Sequence, residues 1–592
     1  MLRAEYDPCD RFYKNPVGGV AVGEEFSIKI VTSGGDSAWL VVKKEGESER
    51  AVRYPMYRTD DGFAYHMHVD SRGLYFYRFE VSEGGVPIAF YADENGFACR
   101  SGESWQLTAY DETHIPRFAE GGIIYQIMVD RFVTGKKRFR TKPASVYRDD
   151  RDGAPYYKAD ENGLVPNNDM FGGNLYGVAD KLDYLKSLNV KVIYLNPIFE
   201  AASNHKYDTG NYRKVDEDFG GDKALDYLIR KAKKYGIKII LDGVFSHTGA
   251  DSIYFNRYGH YDSVGAYQSE NSPYRDWYSF RSFPDDYDCW WGVKLLPCTV
   301  ETNPVFDEFI NGEEGVIRTW LRRGVAGWRL DVADELPDAF LDRLNRAAKK
   351  VDPEAVVLGE VWEDASNKVA YSCRRRYLLG GQLDSVTNYP FKNAVIDFAK
   401  NANAASLVSV VRSIVNNYPP AVLDNLMNML STHDTVRALT ALSSDPVPAT
   451  KEERKDYRMT DYDRAVRLLR LAAAVTYCLS GVPCVYYGEE AGMQGYEDPF
   501  NRKCYPWGSE DNDLIAYFQK LGEIRKREEL NGGSINICSP VSGVIEIVRG
   551  DKLRLVANAS KEPFAVGRSR DLISGDEYSV VPPETALLFE IK

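Results

Sequence analysis

Apolar and charged residues alternate along the segment Trp-Arg-Leu-Asp at 328–331. Alternation with a period of two is typical of a β-strand and places Arg329 and Asp331 on one face. Pro337 and the apolar positions from 340 to 347 then predict a helix. The pattern indicates a charged pair at the C-terminal end of a strand, either a functional carboxylate with its arginine or a structural salt bridge. Because an arginine favours the ionised form of a carboxylate, we expect Arg329 to lower the pKa of Asp331.

Short apolar runs that stop at polar residues alternate with amphipathic helical patterns through the middle of the chain. Buried runs joined by crossover helices describe parallel βαβ units. Eight such strands are predicted, which is the strand count of an α/β fold, the (β/α)8 or TIM barrel. The active site of that fold lies at the C-terminal ends of the strands. A doubly wound open sheet is the alternative. The eight predicted strands are 123–127, 192–195, 237–241, 326–331, 356–360, 382–388, 426–434 and 483–487.

The two ends of the chain have the alternating pattern of antiparallel sheets. Residues 1–115 contain short strands separated by Gly, Asp and Ser turns, which predicts an N-terminal β-sandwich with a carbohydrate-binding, dimerising or stabilising role. The barrel is expected at 116–512, and a C-terminal antiparallel β-sandwich domain at 513–592. The long segment 246–304 follows the third barrel strand and is rich in Tyr and Trp, so we expect it to form an inserted subdomain, domain B.

Composition narrows the class of protein and its partners. A hydrophobic content of 44% and a charged content of 27% are typical of a soluble globular protein. The net charge of −13 argues against a nucleic-acid partner. The longest apolar run, 471–479, is too short to cross a bilayer, so we expect no membrane partner. Aromatic residues reach 13%, and their faces suit sugar rings as well as protein interfaces.

The cysteine pattern bears on the compartment. The nine cysteines are scattered, odd in number and without a CxxC pair, which favours reduced thiols in a cytosolic protein. The first residues lack the apolar core of a signal peptide. We therefore expect a cytoplasmic protein, although a processed secreted form would have the same sequence.

Polar residues at the predicted strand ends are the candidates for chemistry. In a barrel they converge on one mouth, where carboxylates, an arginine and histidines support acid–base or covalent reactions. Glycoside hydrolysis needs such a set, with one carboxylate as nucleophile and one carboxylic acid to protonate the leaving oxygen. A metal-dependent hydrolase is the alternative, but the close histidine pair, His66 and His68, lies in the N-terminal region. The candidates are Asp242, His247, Arg329, Asp331, Glu360, His433 and Asp434.

Four segments resemble, in the same order, the signature regions of glycoside hydrolase family 13, the α-amylase family, in its neopullulanase, cyclomaltodextrinase and maltogenic amylase branch. They are Asp-Gly-Val-Phe-Ser-His at 242–247, Gly-Trp-Arg-Leu-Asp-Val-Ala-Asp-Glu at 327–335, Gly-Glu-Val-Trp at 359–362 and Ser-Thr-His-Asp-Thr at 431–435. The resemblance is dense between about residues 117 and 510. Four signatures in order are far more specific than one short motif.

The resemblance implies roles for individual residues. Asp331 would be the nucleophile, Glu360 the general acid/base and Asp434 a third carboxylate that grips sugar hydroxyls. The implied retaining mechanism passes through a covalent glucosyl-enzyme and expects the first two carboxyl groups about 5–5.5 Å apart. Asp242 is expected to support the site structurally. The residues expected to bind substrate are Tyr207, His247, Arg329, Glu335, His433 and Arg502, with Glu335 on the acceptor side.

The chemistry requires no cofactor, and the usual calcium positions depart from the family pattern. Ser246 stands where the first signature region usually has Asn, a calcium ligand in many α-amylases. The segment 132–140 carries Lys and Arg where several relatives place acidic and Asn ligands. Cations are poor substitutes for oxygen ligands, so calcium is disfavoured at both positions.

The resemblance implies a retaining α-glucan hydrolase that cleaves α-1,4-glucosidic bonds in maltodextrins, cyclodextrins, pullulan or starch. The alternatives are a 4-α-glucanotransferase that uses the same intermediate, and a non-catalytic glycan-binding protein, which typically lacks a carboxylate that this chain keeps. Asp334 replaces an Asn common beside the acceptor-side Glu, which leaves the ratio of transfer to hydrolysis open. A homodimer through the N-terminal sandwich is a further expectation.

The aromatic residues of domain B have two readings. They form one wall of the substrate cleft, or they pack the core of the subdomain itself. The residues concerned are Trp277, Tyr278, Trp290 and Trp291.

Overall fold

The computed structural model describes residues 2–46, 50–161, 163 and 165–591. The N-terminal strands form an antiparallel sandwich in which β6 pairs with both β5 and β7 and joins the two halves. One apolar cluster, with Ile30, Phe63, Leu40 and Phe79, fills the space between the halves. The strands are Ala4–Glu5 (β1), Lys14–Asn15 (β2), Val20–Ala21 (β3), Phe26–Thr32 (β4), Ser37–Lys44 (β5), Val52–Arg58 (β6), Gly62–Met67 (β7), Gly73–Glu83 (β8), Val86–Ala92 (β9), Ala98–Cys99 (β10) and Trp105–Tyr110 (β11).

Among the described residues, the central region holds sixteen strands, eight of which form a parallel barrel. The strands are Ile123–Ile127 (β12), Val146–Tyr147 (β13), Asp169–Met170 (β14), Val190–Leu195 (β15), Phe199–Ala201 (β16), Thr209–Val215 (β17), Lys238–Gly243 (β18), Phe280–Ser282 (β19), Asp286–Tyr287 (β20), Gly327–Leu330 (β21), Val356–Gly359 (β22), Val369–Ala370 (β23), Cys373–Arg374 (β24), Ser385–Val386 (β25), Met427–Met429 (β26) and Val482–Tyr486 (β27). The barrel order is β25-β22-β21-β18-β15-β12-β27-β26.

The barrel closes between its sixth and seventh strands. A single parallel bridge between Thr387 and Met427 joins β25 to β26, and the side chain of Asn388 donates to Asn428 at 2.8 Å. This closure confirms the predicted (β/α)8 barrel and excludes the open sheet. The predicted strands 382–388 and 426–434 are too long, because the chain leaves the ladder after Val386 and after Met429.

Amphipathic helices surround the barrel, as their apolar spacing predicts. In α4, the buried positions Leu225, Leu228 and Ala232 lie on one stripe, and Gly236 ends the helix in the left-handed conformation. The helices are Val129–Phe132 (α1), Leu175–Asp180 (α2), Leu182–Ser187 (α3), Gly221–Tyr235 (α4), Pro304–Asn311 (α5), Val316–Arg322 (α6), Asp338–Val351 (α7), Tyr389–Asn401 (α8), Ala404–Asn417 (α9), Pro420–Leu423 (α10), Ala438–Leu442 (α11), Lys451–Lys455 (α12), Tyr462–Cys478 (α13) and Asn512–Ile524 (α14). In the described part of the chain, none combines the length and apolar character needed to cross a lipid bilayer.

The C-terminal region is a second antiparallel sandwich. Val544, Val556 and Leu587 form a small core with Val581 of the facing pair of strands. Helix α14, which the predicted division at 512/513 assigns to this region, packs on the barrel, where Asn189 Nδ2 donates to the Gly522 carbonyl at 2.7 Å. The strands are Ile535–Val541 (β28), Val544–Arg549 (β29), Leu553–Asn558 (β30), Phe564–Arg570 (β31), Glu577–Val581 (β32) and Thr585–Glu590 (β33).

A buried carboxyl group, Glu489, lies just beyond β27. It is 3% exposed, and the Ser431 hydroxyl donates to its Oε1. Burial raises the pKa of Glu489 to about 8. A carboxyl whose pKa rises on folding stabilises the fold while protonated, and this contribution is lost as the pH rises from its unfolded pKa to its folded one.

We expect Glu489→Gln to flatten the pH dependence of thermal stability. Between pH 4.5 and 8 the wild type should lose a stabilising contribution that the uncharged amide retains, so the melting temperature of the variant should exceed that of the wild type most at pH 8. Thermal unfolding at pH 5 and pH 8 measures this. Glu523→Gln, at an exposed site, is the control, and parallel curves for Glu489→Gln and wild type would contradict the prediction.

Candidate active site

Three neighbouring parallel strands place charged residues at the same level of the barrel mouth. Asp242 in β18 is the ladder partner of Arg329 in β21, and Glu360 directly follows β22. β21 and β22 approach each other closely at their first residues, since a Cβ at Gly327 would collide with the Val356 carbonyl oxygen. Asp331 follows β21 and donates its backbone N–H to the Gly243 carbonyl at 3.0 Å.

The Arg329 guanidinium binds a carboxylate from each of these strand ends. Its Nη1 donates to Asp242 at 2.6 Å and to Asp331 at 2.8 Å, and its Nη2 lies 2.8 Å from Glu360 Oε2. Arg329 is 2% exposed, so these contacts form away from bulk water. The predicted charged pair is therefore the centre of a four-residue cluster.

The net direction of the Asp331 pKa differs from the prediction. Burial raises the pKa of the Asp331 carboxyl well above its ordinary value. Arg329 opposes the rise, but the carboxylates of Glu360, Asp242 and Asp434 add to it. The predicted lowering of the Asp331 pKa is therefore wrong. The prediction considered only Arg329 and Asp331, and not the other carboxylates around them. Several carboxylates around one guanidinium favour the uptake of a proton by the cluster as a whole.

Glu360 is held from three directions. Besides Arg329, the backbone N–H of Val332 donates to Oε2 at 2.9 Å, and Trp362 Nε1 donates to Oε1 at 3.1 Å. Val332 has φ 39° and ψ 65°, a left-handed conformation that costs a β-branched residue on the order of 1–3 kcal/mol. The Trp362 ring stacks on Tyr389 with centroids 3.9 Å apart. The strained backbone thus aims an N–H at the carboxylate.

Asp434 forms a second charged group on the opposite side of the mouth. His433 Nε2 lies 2.9 Å from Asp434 Oδ2, and Arg502 Nη2 lies 3.4 Å from Oδ1. The Asp434 side chain keeps 32% of its surface exposed at the mouth. Partial burial opposes its ionisation, but His433 and then Arg502 lower the pKa of Asp434 below its usual value. Asp434 is therefore a carboxylate at neutral pH.

Tyr207 links the two charged groups. Its hydroxyl donates to Asp242 Oδ2 at 2.9 Å and lies 2.5 Å from His433 Nε2. Its ring is nearly parallel to the His433 ring, at 7°. Three further polar residues of this network were not predicted from the sequence. Tyr194 contacts Asp242, Gln126 contacts His433, and Asn196 contacts Tyr207. All three lie in or directly after apolar strands. The same pattern, a polar residue at the end of an apolar run, is what predicted Asp242.

Two predicted substrate residues lie at the edge of the cluster. The His247 ring nitrogens contact the Tyr207 carbonyl and the Ser246 hydroxyl, each at 3.1 Å. Burial lowers the pKa of His247 to about 4, so the ring is neutral at neutral pH. Glu335 is half-buried in the short helix Ala333–Glu335, and its carboxylate faces Tyr371.

Two of the four aromatic residues of domain B pack its core, and for the other two the wall hypothesis stays a prediction. Trp277 and Tyr278 are 2% and 3% exposed and pack the core, so the wall hypothesis is wrong for these two. The Trp290 ring lies 5.8 Å from the His247 ring, and Trp291 is 83% exposed.

The residues at the two calcium positions do not fit the ion. The Ser246 hydroxyl is hydrogen-bonded to His247. A Cβ at Gly172 would lie 3.3 Å from Arg138 Nε, so a guanidinium packs against this glycine. Among the described residues, no group of three or more His, Cys, Asp or Glu side chains is arranged to hold a metal ion. A guanidinium and a hydrogen-bonded hydroxyl at these positions disfavour a calcium ion.

The barrel and its mouth define a class of protein. Asp331 and Glu360 share one guanidinium beside an ionised third carboxylate. Paired carboxyl groups at the C-terminal mouth of such a barrel are the arrangement of glycoside hydrolases. Residues 126–531 match the family described as "Alpha amylase, catalytic domain". The chain therefore belongs to the α-amylase family.

Its relatives carry the names of α-glucan enzymes. The chain is 36% identical to an amylopullulanase of Thermoanaerobacter thermohydrosulfuricus over 89% of its own length and 39% of that protein. It is 30% identical to a cyclomaltodextrinase of Thermoanaerobacter pseudethanolicus over 85% of the chain and 83% of that protein. The first curated relatives are longer, and the chain spans 33% to 45% of their length.

A solved structure supports the whole architecture. The type III pullulan hydrolase of Thermococcus kodakarensis superposes with a TM-score of 0.70 at 24% identity, and the match covers 100% of both chains. The N-terminal sandwich, barrel and C-terminal sandwich thus occur together in a known fold.

Removal of Arg329 should destabilise the protein and abolish turnover. Arg329→Met leaves Asp242, Asp331 and Glu360 buried without their counter-ion, and breaking a buried pair in this way costs about 3–5 kcal/mol. The melting temperature and the rate on maltotriose measure the two effects.

The control for this change is Arg323→Met, which removes a partly exposed arginine from Asp222 and Asp226. Surface pairs contribute about 0–1 kcal/mol, so this variant should melt close to the wild type. Equal losses of melting temperature in the two variants would contradict the central position given to Arg329.

Proposed function

We propose that this chain is a retaining α-glucan hydrolase that cleaves α-1,4-glucosidic bonds. The observation that carries the proposal is the attachment of Asp331 and Glu360 to the two ends of one buried guanidinium. Both carboxyl groups are thereby fixed next to each other at the barrel mouth. This is what a retaining glycosidase needs, since its nucleophile and its acid act on the same glycosidic bond.

In the first step, Asp331 attacks the anomeric carbon and forms a covalent glucosyl ester, while Glu360 transfers its proton to the leaving oxygen. The cluster favours one bound proton, because burial and neighbouring carboxylates raise the pKa of the Asp331 carboxyl. The reaction requires this proton on Glu360. Before the attack, hydrogen bonds from Arg329 stabilise the negative charge of the Asp331 carboxylate. In the second step, Glu360 takes a proton from water, and the water releases the sugar with retained configuration.

Asp434 and its partners hold the sugar that is attacked. His433 and Arg502 keep the Asp434 carboxylate ionised and oriented, so it accepts hydrogen bonds from sugar hydroxyls. Tyr207 offers a ring face beside this group, and neutral His247 borders the bound sugar from its position against the Tyr207 carbonyl. Asp242 binds Arg329 and two tyrosines and acts as structural support.

The names of the relatives support α-glucans as the substrate class. Amylopullulanase, cyclomaltodextrinase and pullulan hydrolase all refer to α-glucans. Maltodextrins, cyclodextrins, pullulan and starch are therefore the proposed substrates. A 4-α-glucanotransferase would use the same glucosyl-enzyme with a sugar as acceptor, and longer oligomers from maltotriose in excess of glucose and maltose would favour it.

The covalent intermediate gives the decisive test. In Glu360→Gln the base that activates water is absent, whereas α-maltosyl fluoride needs no acid to leave, so the maltosyl-enzyme should accumulate. Intact-protein mass spectrometry should show the added maltosyl group, and a peptide map should place it on Asp331. Asp331→Asn should abolish turnover and labelling while maltodextrin still binds. Labelling elsewhere, or near-wild-type activity of Asp331→Asn, would exclude Asp331 as the nucleophile.

We also propose that catalysis needs no calcium. The packing of the Arg138 guanidinium against Gly172 and the bond of the Ser246 hydroxyl to His247 support this proposal. Protein treated with a chelator should keep its rate on maltotriose and its melting temperature, and added calcium should change neither. A rise of the melting temperature with calcium, set against magnesium as the control, would contradict this prediction.

The compartment and the oligomeric state belong to the same proposal. In the described structure the nine cysteines are all free thiols, which supports a reducing, cytoplasmic location.

For a homodimer through the N-terminal sandwich, Val52, Tyr57 and Val86 supply exposed apolar surface, at 53%, 49% and 63% exposure.

A further inference from the structure

The connection between the fifth and sixth barrel strands differs from the others. Residues 360–384, all of which the structure describes, contain no α-helix and instead carry the hairpin β23–β24. Its two turn residues, Tyr371 and Ser372, have φ 51° and 62°. Such turns favour Asn-Gly, because most side chains are strained at positive φ. Tyr371 is therefore held in a costly conformation at the tip of a hairpin, which is a typical mark of a functional position.

One side of this connection is fixed to the loop that follows the nucleophile. Lys368 Nζ lies 3.0 Å from Asp334 Oδ2, and the Tyr377 hydroxyl donates to Asp334 Oδ1 at 2.7 Å. Arg375 donates to the Leu336 carbonyl. These contacts bring the hairpin beside the barrel mouth.

The other side is fixed to the N-terminal sandwich. The Arg374 guanidinium makes a bidentate pair with Glu45, at 2.8 Å and 2.7 Å. Asn367 Nδ2 donates to Gln106 Oε1 at 2.9 Å. The hairpin thus bridges a separate domain and the active site within one chain.

The tip presents a tyrosine next to a carboxylate. Tyr371 is 69% exposed. Partial burial and the nearby Glu335 carboxylate raise the pKa of Tyr371, so the group stays a neutral phenol. An exposed aromatic face with a polar end suits a sugar ring and its hydroxyls.

This pair lies on the side of the site that faces the leaving group. Glu360 delivers its proton to the leaving oxygen, so the leaving sugar lies on the Glu360 side. The segment that carries Glu335 packs on Glu360, where the Ala333 N–H donates to the Glu360 carbonyl at 3.2 Å. The group of Asp434, His433 and Arg502 is formed by other strands, on the opposite side.

We propose that Tyr371 is a specificity-determining residue that binds, together with Glu335, the sugar on the leaving-group side of the cleaved bond. We propose further that the N-terminal sandwich holds Tyr371 in place through the Arg374–Glu45 pair. The proposal rests on the proposed function and names a binding element of the same cleft. The sandwich of the chain itself, rather than that of a second copy, would then set the width of the cleft on this side.

Two donors that differ in their leaving group test the role of Tyr371. Maltotriose carries a leaving sugar, whereas α-maltosyl fluoride releases only fluoride. Because the leaving sugar would lose its contact with the Tyr371 ring and its hydrogen bond with the phenol, kcat/KM of Tyr371→Ala on maltotriose should fall about 10- to 100-fold. On the fluoride, kcat/KM should fall by far less, and Tyr371→Phe should give an intermediate result. Tyr235→Phe, in α4 and away from the hairpin, removes a tyrosine hydroxyl from the Asp183 carboxylate and is the matched control.

Charge reversal tests the positioning by the sandwich. Arg374→Glu and Glu45→Arg should each reproduce part of the selective loss on maltotriose, and the double variant should recover it because the pair re-forms. Reversal of the exposed pair Arg72–Asp111 is the control and should not distinguish the two donors.

The outcomes separate this proposal from the function on which it rests. Equal losses on both donors in Tyr371→Ala, or no loss on either, would overturn the role of Tyr371. Failure of the double variant to recover would overturn the positioning role of the sandwich. A wild type that turns over neither donor would overturn the proposed function itself.

Discussion

The buried guanidinium of Arg329 is the interaction on which the site depends. Carboxylates from β18, β21 and β22 meet on its two terminal nitrogens. A one-residue slip of any of these strands would move its side chain out of the barrel interior, because successive residues point to opposite faces. The ladder register that pairs Asp242 with Arg329, and Arg329 with Leu358, is thus also the geometry of the chemistry. Fold and site are specified together.

The electrostatics divide the mouth into two parts with different tasks. Around Arg329, burial and the neighbouring carboxylates raise the pKa of the Asp331 carboxyl and favour a proton bound within the cluster. Around Asp434, a histidine and an arginine favour the charged form, which a hydroxyl-binding carboxylate needs. Tyr207 connects the two parts through Asp242 and His433. The two environments therefore give carboxyl groups in one small site opposite protonation behaviour.

Much of this arrangement follows from the sequence, and the remainder depends on long-range contacts. Apolar runs that stop at Asp242, Asp331 and Glu360 predict both the barrel strands and their chemical ends, because local spacing encodes them. The direction of the Asp331 pKa could not be predicted, since it depends on carboxylates from separate strands. The hairpin at Tyr371 was missed because Tyr-Ser lacks the usual turn signal and relies on tertiary contacts for its conformation.

The closure of the barrel has a consequence for how the protein loses activity. The sixth and seventh barrel strands, β25 and β26, share one backbone bridge, between Thr387 and Met427. By comparison, β12 and β15 share five residue pairs. Local opening requires the least free energy where few ladder bonds must break, so amide hydrogen exchange should be fastest along this seam. Asp434 lies just beyond the seventh strand. Opening of this seam would displace Asp434 while the rest of the barrel keeps its core, so we expect activity to be lost on warming before global unfolding.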